Sequence, residues 1–177
     1  PELIYQEGTL HRVAAFETNE AHHLIEEFMV LANEAVADEL SRKGIPALYR
    51  IHPPPAPADI AELKVLLEHF GISLPKAEKV TSRDLQRIIK EVEGRPDGKV
   101  IQSRVLRALR LAVYSPENAG HYGLAKADYT HFTSPIRRYP DLVVHRALKA
   151  SLARQKWQAR GLEELALHCS DQERKAD

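Results

Sequence analysis

The sequence predicts an α+β fold, mostly α-helical, with five or six helices and a short N-terminal β-hairpin. Three observations carry this. Apolar residues recur at helical spacing in four separate stretches after residue 20. Clear alternation occurs only before Glu17, around a glycine. Composition is that of an ordinary globular protein, 44% apolar and 28% charged.

Leu3-Ile4-Tyr5 and Thr9–Phe16 read as two strands joined by Gln6-Glu7-Gly8, with glycine supplying the turn. A lone hairpin is marginal in water, so it is expected to pair with a sheet outside this chain. Asn19 is placed to cap a helix whose apolar positions are Leu24, Phe28, Leu31 and Ala35. That helix is expected to run to about Arg42, where Gly44 and Pro46 stop it. Tyr49-Arg50-Ile51-His52 is a brief extended piece, and Pro53 to Pro57 a stiff spacer within the domain. Three amphipathic stripes follow: Ile60, Leu63, Leu67, Phe70; then Leu85, Ile88, Ile89, Val92, capped by Thr81 or Ser82; then Ile101, Val105, Ala108, Leu109, Ala112. From Ser115 to Thr133 turn residues and aromatics replace the helical period, and two helices at about 135–155 and 161–170 close the chain. No internal repeat is present. The whole reads as one domain, 1–177.

Cys169 is the single cysteine, which excludes an internal disulfide framework and fits a reducing, cytoplasmic setting. No apolar run reaches the length of a membrane span, so no membrane partner is expected. Net charge is zero, which by itself argues against a nucleic-acid binder, but the charge is unevenly placed. Residues 1–40 hold nine acidic side chains and one basic, whereas 135–160 hold seven basic side chains and Asp141 as the one acid. A phosphate-binding surface needs such local positive potential, but by itself the stretch reads first as a solvated helix face. The histidines, among them His22-His23, His121 and His131, lack zinc-site spacing with cysteine or acidic partners.

The segment that bears chemistry is Tyr129-Thr130-His131-Phe132-Thr133-Ser134-Pro135-Ile136-Arg137-Arg138-Tyr139-Pro140-Asp141, with His121-Tyr122-Gly123-Leu124 before it and His145-Arg146 after. Ser134-Pro135 is a helix start, and Pro140-Asp141 a second one, because an interior proline would break the ladder. One tight turn at 135–139 and then the main helix are therefore expected. This brings free backbone amides, two hydroxyls and two guanidiniums to one helix N-terminus, a setting that favours a phosphate. Tyr129, Phe132 and Tyr139 are available in principle to stack on bases. A plain reading is equally coherent: Ser134 a cap, Arg137 and Asp141 an i,i+4 ion pair, and the aromatics core.

The eighteen residues 129–146 closely resemble the signature of the ribonuclease II/R (RNB) family, in particular its ribonuclease R branch. His121–Ala125, the stretch His23-Leu24-Ile25-Glu26-Glu27-Phe28-Met29-Val30-Leu31-Ala32-Asn33, and Leu48–His52 match further blocks of that family in the same order. The resemblance implies a processive 3′→5′ exoribonuclease that hydrolyses single-stranded RNA to 5′-monophosphates with Mg²⁺, without a preference for DNA. It implies Arg137 as the catalytic arginine on the scissile phosphate. Arg138 is lysine in some relatives, so charge rather than fork geometry is expected of it. The nucleotide-positioning glutamate maps to Glu26 or Glu27, and helical spacing favours Glu26, which shares a face with Met29 and Asn33. Tyr129, His131, Thr133 and Ser134 would contact substrate or cap the turn. Asp141 would orient Arg137, and His145 and Asn33 would support the site from behind; Arg50 and His52 would support the site or touch backbone phosphate, with a structural role favoured for both.

One part of the family pattern is missing. Its metal-binding aspartates lie in a dense acidic motif, whereas here Asp38, Asp59, Asp84, Asp97, Asp128, Asp141, Asp171 and Asp177 all stand apart. No metal ligand is therefore expected in this chain, and the Mg²⁺ belongs to the parent enzyme. The chain is expected to be the C-terminal portion of a catalytic domain. The rest of the parent chain, including flanking β-barrel RNA-binding domains, would be its partner.

Overall fold

The computed structural model describes residues 2–6, 8–14 and 18–176. The chain divides into two compact units, Pro1–Ala32 and Asn33–Asp177. In the first unit β1 (Glu2–Gln6) and β2 (Thr9–Ala14) form the expected antiparallel hairpin, with a bulge between Ile4 and Tyr5. Gly8 has φ +80°, which the turn requires and a Cβ would resist. The expected extension of the second strand to Phe16, and Glu7 in the turn, lie outside the described residues.

Helix α1 (Glu20–Arg42) begins in the first unit and ends in the second. Asn19 caps it as expected, its Oδ1 accepting the His22 amide at 3.1 Å. Its apolar positions Leu24, Phe28 and Leu31 are 56%, 57% and 59% exposed. The buried side chains of α1 are Asn33, Ala37 and Leu40. Spacing reveals that a helix has an apolar face but not whether anything in the same chain covers it. Gly44, with φ +61°, ends the helix in a Schellman turn, in which the Ile45 amide donates to Leu40 O at 2.9 Å.

The second unit has two regions. In one, α2 (Pro57–His69), α3 (Ser82–Glu91) and α4 (Gly98–Ala108) enclose Ile60, Leu63, Leu67, Ile88, Ile101 and Val105. These are the apolar stripes read from the sequence. Thr81 caps α3 through a capping box with Asp84. The stripe read as continuing to Ala112 is cut at Ala108, and Val113–Ser115 is instead a strand, β4. It pairs antiparallel with β3 (Tyr49–Ile51), placing Arg50 opposite Tyr114.

In the other region α5 (Tyr139–Leu152) and α6 (Leu162–Ala176) pack on that two-stranded sheet and on the end of α1. Leu40, Ala47, Val144 and Ala147 form one core, and Leu48, Tyr114, Val143 and Ala166 another. Ser170 fastens α6 to β4, its Oγ accepting the Tyr114 amide at 2.9 Å. The final helix runs past the expected residue 170 to Ala176. The α+β, mostly helical fold class holds. No helix among the described residues is long and apolar enough to cross a membrane.

Candidate functional site

The segment between β4 and α5 folds as two successive helix starts would dictate. Residues 135–137 form a turn, and α5 begins at Tyr139 with Pro140 in its first turn, where proline loses no needed hydrogen bond. Ser134 closes that turn with its backbone rather than its hydroxyl. Its carbonyl accepts the amides of Arg137 and Arg138 at 3.3 and 3.1 Å. Its own amide donates to Asp141 Oδ1 at 2.8 Å.

Asp141 is fully buried, and its partner is Arg138 rather than the expected Arg137. Arg138 Nε donates to Oδ2 and Nη2 to Oδ1, both at 2.8 Å, a bidentate fork. The expectation that Arg138 contributes charge and not fork geometry is therefore corrected. Arg137, one residue earlier on the turn, is exposed, and its guanidinium has no hydrogen bond or ion pair among the described residues.

Asn33 holds the start of this segment. Its Nδ2 donates to Tyr129 Oη at 3.0 Å, and its Oδ1 accepts the amides of Phe132 at 2.9 Å and Thr133 at 3.3 Å. Tyr129 is buried, so its ring is packing, not an open platform. Phe132 lies flat on His145, centroids 4.1 Å apart, while His145 Nε2 sits 2.8 Å from Phe132 O. Of the three aromatics considered for base stacking, Tyr139 is the one left open, at 50% exposure. Thr130 anchors the strand side, donating from its hydroxyl to Leu48 O at 2.5 Å.

Beneath the turn is a cluster of rings. His131 Nδ1 is 2.8 Å from Tyr114 Oη, and Arg50 lies over the Tyr114 ring at 4.7 Å while its Nη1 donates to Glu173 Oε2 at 2.6 Å. Arg50 is thus structural, as expected. So is His52: Gly123 N–H donates to Nδ1 at 3.0 Å, leaving Nε2–H to donate to Arg110 O at 2.7 Å. A Cβ on Gly123 would stand 2.6 Å from that Nδ1, so residue 123 must be glycine for close approach.

Burial pushes the Tyr114 hydroxyl up to about 12. Burial, then the Arg138 and Arg50 charges, lowers His131 to about 3. Burial, then His52 and Arg50, lowers His121 to about 4. Both histidines are held neutral in the fold but take up protons near pH 6.5 when unfolded. Their contribution is complete above that pH and is lost as pH falls toward the folded values. Thermal melts at pH 7.5 and pH 5 should therefore differ by roughly 5 °C, the acidic sample being less stable. A melt that is flat or rises toward pH 5 would contradict this.

Arg137, Arg138, Tyr139 and Pro140 form one wall of a cleft of about 740 Å³, and Leu165, His168, Cys169, Gln172 and Glu173 of α6 form the other, with Tyr114. Glu26 and Glu27 belong to the first unit; both are exposed, and Glu26 Oε2 stands 3.6 Å from His23 Nδ1. For a metal, the donors do not fit. No three His, Cys, Asp or Glu side chains converge among the described residues, and both oxygens of buried Asp141 are taken by Arg138 and Ser134.

A profile of the RNB domain matches residues 1–154. The chain belongs to the RNB family. Among RNB proteins it is 40% identical to Ribonuclease R of Escherichia coli K12 over 97% of this chain and 23% of that one. It is 43% identical to Ribonuclease R of Aquifex aeolicus over 99% of this chain and 25% of that one. The chain thus spans about a quarter of the length of these relatives. The structure of Mycoplasma genitalium RNase R in complex with ribose-methylated single-stranded RNA superposes with TM-score 0.86 at 30% identity, covering 98% of this chain and 29% of that one. Yeast Ssd1, a pseudonuclease, superposes with TM-score 0.72 at 27% identity, covering 85% of this chain and 19% of that one.

The RNB signature thus gathers Tyr129, His131, Thr133, Ser134, Arg137, Arg138, Asp141, His145 and Asn33 within the second unit. Sequence reasoning missed Tyr114 and Glu173. Neither carries a local signal: Tyr114 lies just past the helical stripe read to Ala112, and Glu173 beyond the expected end of the last helix.

Proposed function

We propose that this chain is the arginine-bearing portion of the catalytic domain of a 3′→5′ exoribonuclease that degrades single-stranded RNA to 5′-monophosphates in the cytoplasm. Arg137 carries the reading: an exposed arginine with no partner among the described residues, on a turn built by its neighbours, in the family's signature segment. A guanidinium so placed binds two phosphate oxygens at once and strengthens as charge develops on them. Tyr139 is open to a base beside it. His131, Thr133 and Ser134 shape the floor, and Glu26 or Glu27 positions the terminal nucleotide. The Mg²⁺ chemistry of the parent enzyme falls to residues elsewhere in that protein, and no step is assigned to a metal here.

The similarity to a pseudonuclease favours a second reading, in which the parent grips RNA without cutting it. A 5′-labelled oligonucleotide incubated with the full-length protein and Mg²⁺ separates the two. A ladder shortening from the 3′ end and stopped by EDTA supports the nuclease. A gel shift whose affinity falls with salt, with the label intact, supports the binder. The 177-residue chain alone should release no nucleotides; trimming by it would overturn the assignment of the metal chemistry to the rest of the parent.

A further inference from the structure

Two adjacent arginines precede α5, and one buried carboxylate in its first turn holds the second of them. Asp141 is three residues from Arg138 and four from Arg137, and through the Ser134 amide it also fastens the turn on which Arg137 stands. It is 0% exposed, and a buried carboxylate without a cation is strongly unfavourable, so it will hold whichever guanidinium it can. In this structure it holds Arg138 by both oxygens. The acid that lines the cleft beside Arg137, Glu173, is held by Arg50 at 2.6 Å. Among the described residues, the carboxylate four positions on and the acid that lines the cleft are thus each held by a different arginine.

We infer that Arg138 is a positioning residue that occupies Asp141 and so keeps the Arg137 guanidinium free for phosphate. This rests on the reading of Arg137 as the phosphate-contacting residue. The same carboxylate fixes the turn, because Asp141 Oδ1 also accepts the Ser134 amide at 2.8 Å while the Ser134 carbonyl accepts the amides of both arginines. One buried charge thus sets where Arg137 stands, and Arg138 decides that it stands there unpaired. Fork geometry is what the task needs: Nε and Nη2 cover both carboxylate oxygens, which an ammonium would do one at a time. If Arg138 is lost, Asp141 captures Arg137, and one substitution disables two arginines.

The test is a pair of variants of the full-length protein, Arg138→Ala and Arg138→Ala/Asp141→Asn, with wild type and Arg137→Ala as references. The first readout is single-turnover cleavage of a labelled oligonucleotide. Arg138→Ala should lower the rate about 10–100-fold with RNA affinity changed less than about threefold, and adding Asp141→Asn should restore about 10-fold, since the competitor is gone. The second readout needs no activity: modification of Arg137 by phenylglyoxal, followed by mass spectrometry. Arg137 should react in wild type, be protected in Arg138→Ala, and react again in the double variant. Where Arg138→Ala does not fold, Arg138→Gln with and without Asp141→Asn gives the same comparison.

A double variant no faster than the single one, or Arg137 equally reactive in all three, overturns the inference. So does an affinity loss equal to the rate loss with a salt slope reduced by about one, which would make Arg138 an RNA contact. A wild type that does not cleave, or an Arg137→Ala variant as fast as wild type, instead overturns the reading of Arg137, while the modification pattern still decides whether Arg138 shields it.

Discussion

Replacing Arg137 with alanine in the full-length protein should lower turnover by roughly 10²–10³-fold while changing RNA affinity less than about threefold. The expectation follows from where the side chain stands. Arg137 is exposed and unpaired among the described residues, so removing it leaves no orphaned partner and costs the fold little. Its neighbours, not itself, build the turn: Ser134 closes the backbone, and Asp141 with Arg138 fixes it from below. The lost interaction is one that strengthens as the phosphate gains charge, and such losses fall on turnover rather than on binding. Arg137→Lys should recover only part, because an ammonium meets one oxygen at a time. Steady-state kinetics beside direct binding measurements would check both, and equal losses in turnover and affinity would make Arg137 an anchor instead.

Replacing Asn33 with leucine should cost roughly 2–4 kcal/mol of stability, because one buried amide satisfies three groups at once. Its Oδ1 accepts the Phe132 and Thr133 amides and its Nδ2 donates to Tyr129 Oη, all from the stretch that leads into the arginine turn. Leucine has similar bulk but leaves two part-buried amides and a buried tyrosine hydroxyl without their partner. Asn33→Asp keeps the acceptor and loses the donor, so it should fall between the two. Urea denaturation of the three proteins would rank them, and leucine as stable as asparagine would show that the segment is held by packing alone.

Much of this was legible before any coordinates. The caps Asn19 and Thr81, the glycine that ends α1, and the stripes through Ile60, Leu85 and Ile101 are local features, and each folded as its local chemistry requires. The double helix start at Ser134-Pro135 and Pro140 was local too. Errors came where partners are far apart in sequence. Val113–Ser115 pairs with a strand more than sixty residues earlier, and no window of helical periodicity can register that. The exposure of Leu24, Phe28 and Leu31 was likewise out of reach, because amphipathicity records that a helix has an apolar face, not what meets it.

The sequence by itself determined the family and the residues of its signature, because an ordered run of chemically unusual side chains is specific in a way that periodicity is not. It also placed Arg137, Arg138 and Asp141 within one turn of each other. Only the tertiary structure decided which arginine the carboxylate holds. Arg138 stands at the helix cap while Arg137 lies outside the helix on the turn at 135–137, and the fork of Arg138 covers both oxygens of buried Asp141. That burial is a property of α5 packing against its neighbours, and through it a distant core decides that Arg137 faces the cleft unpaired.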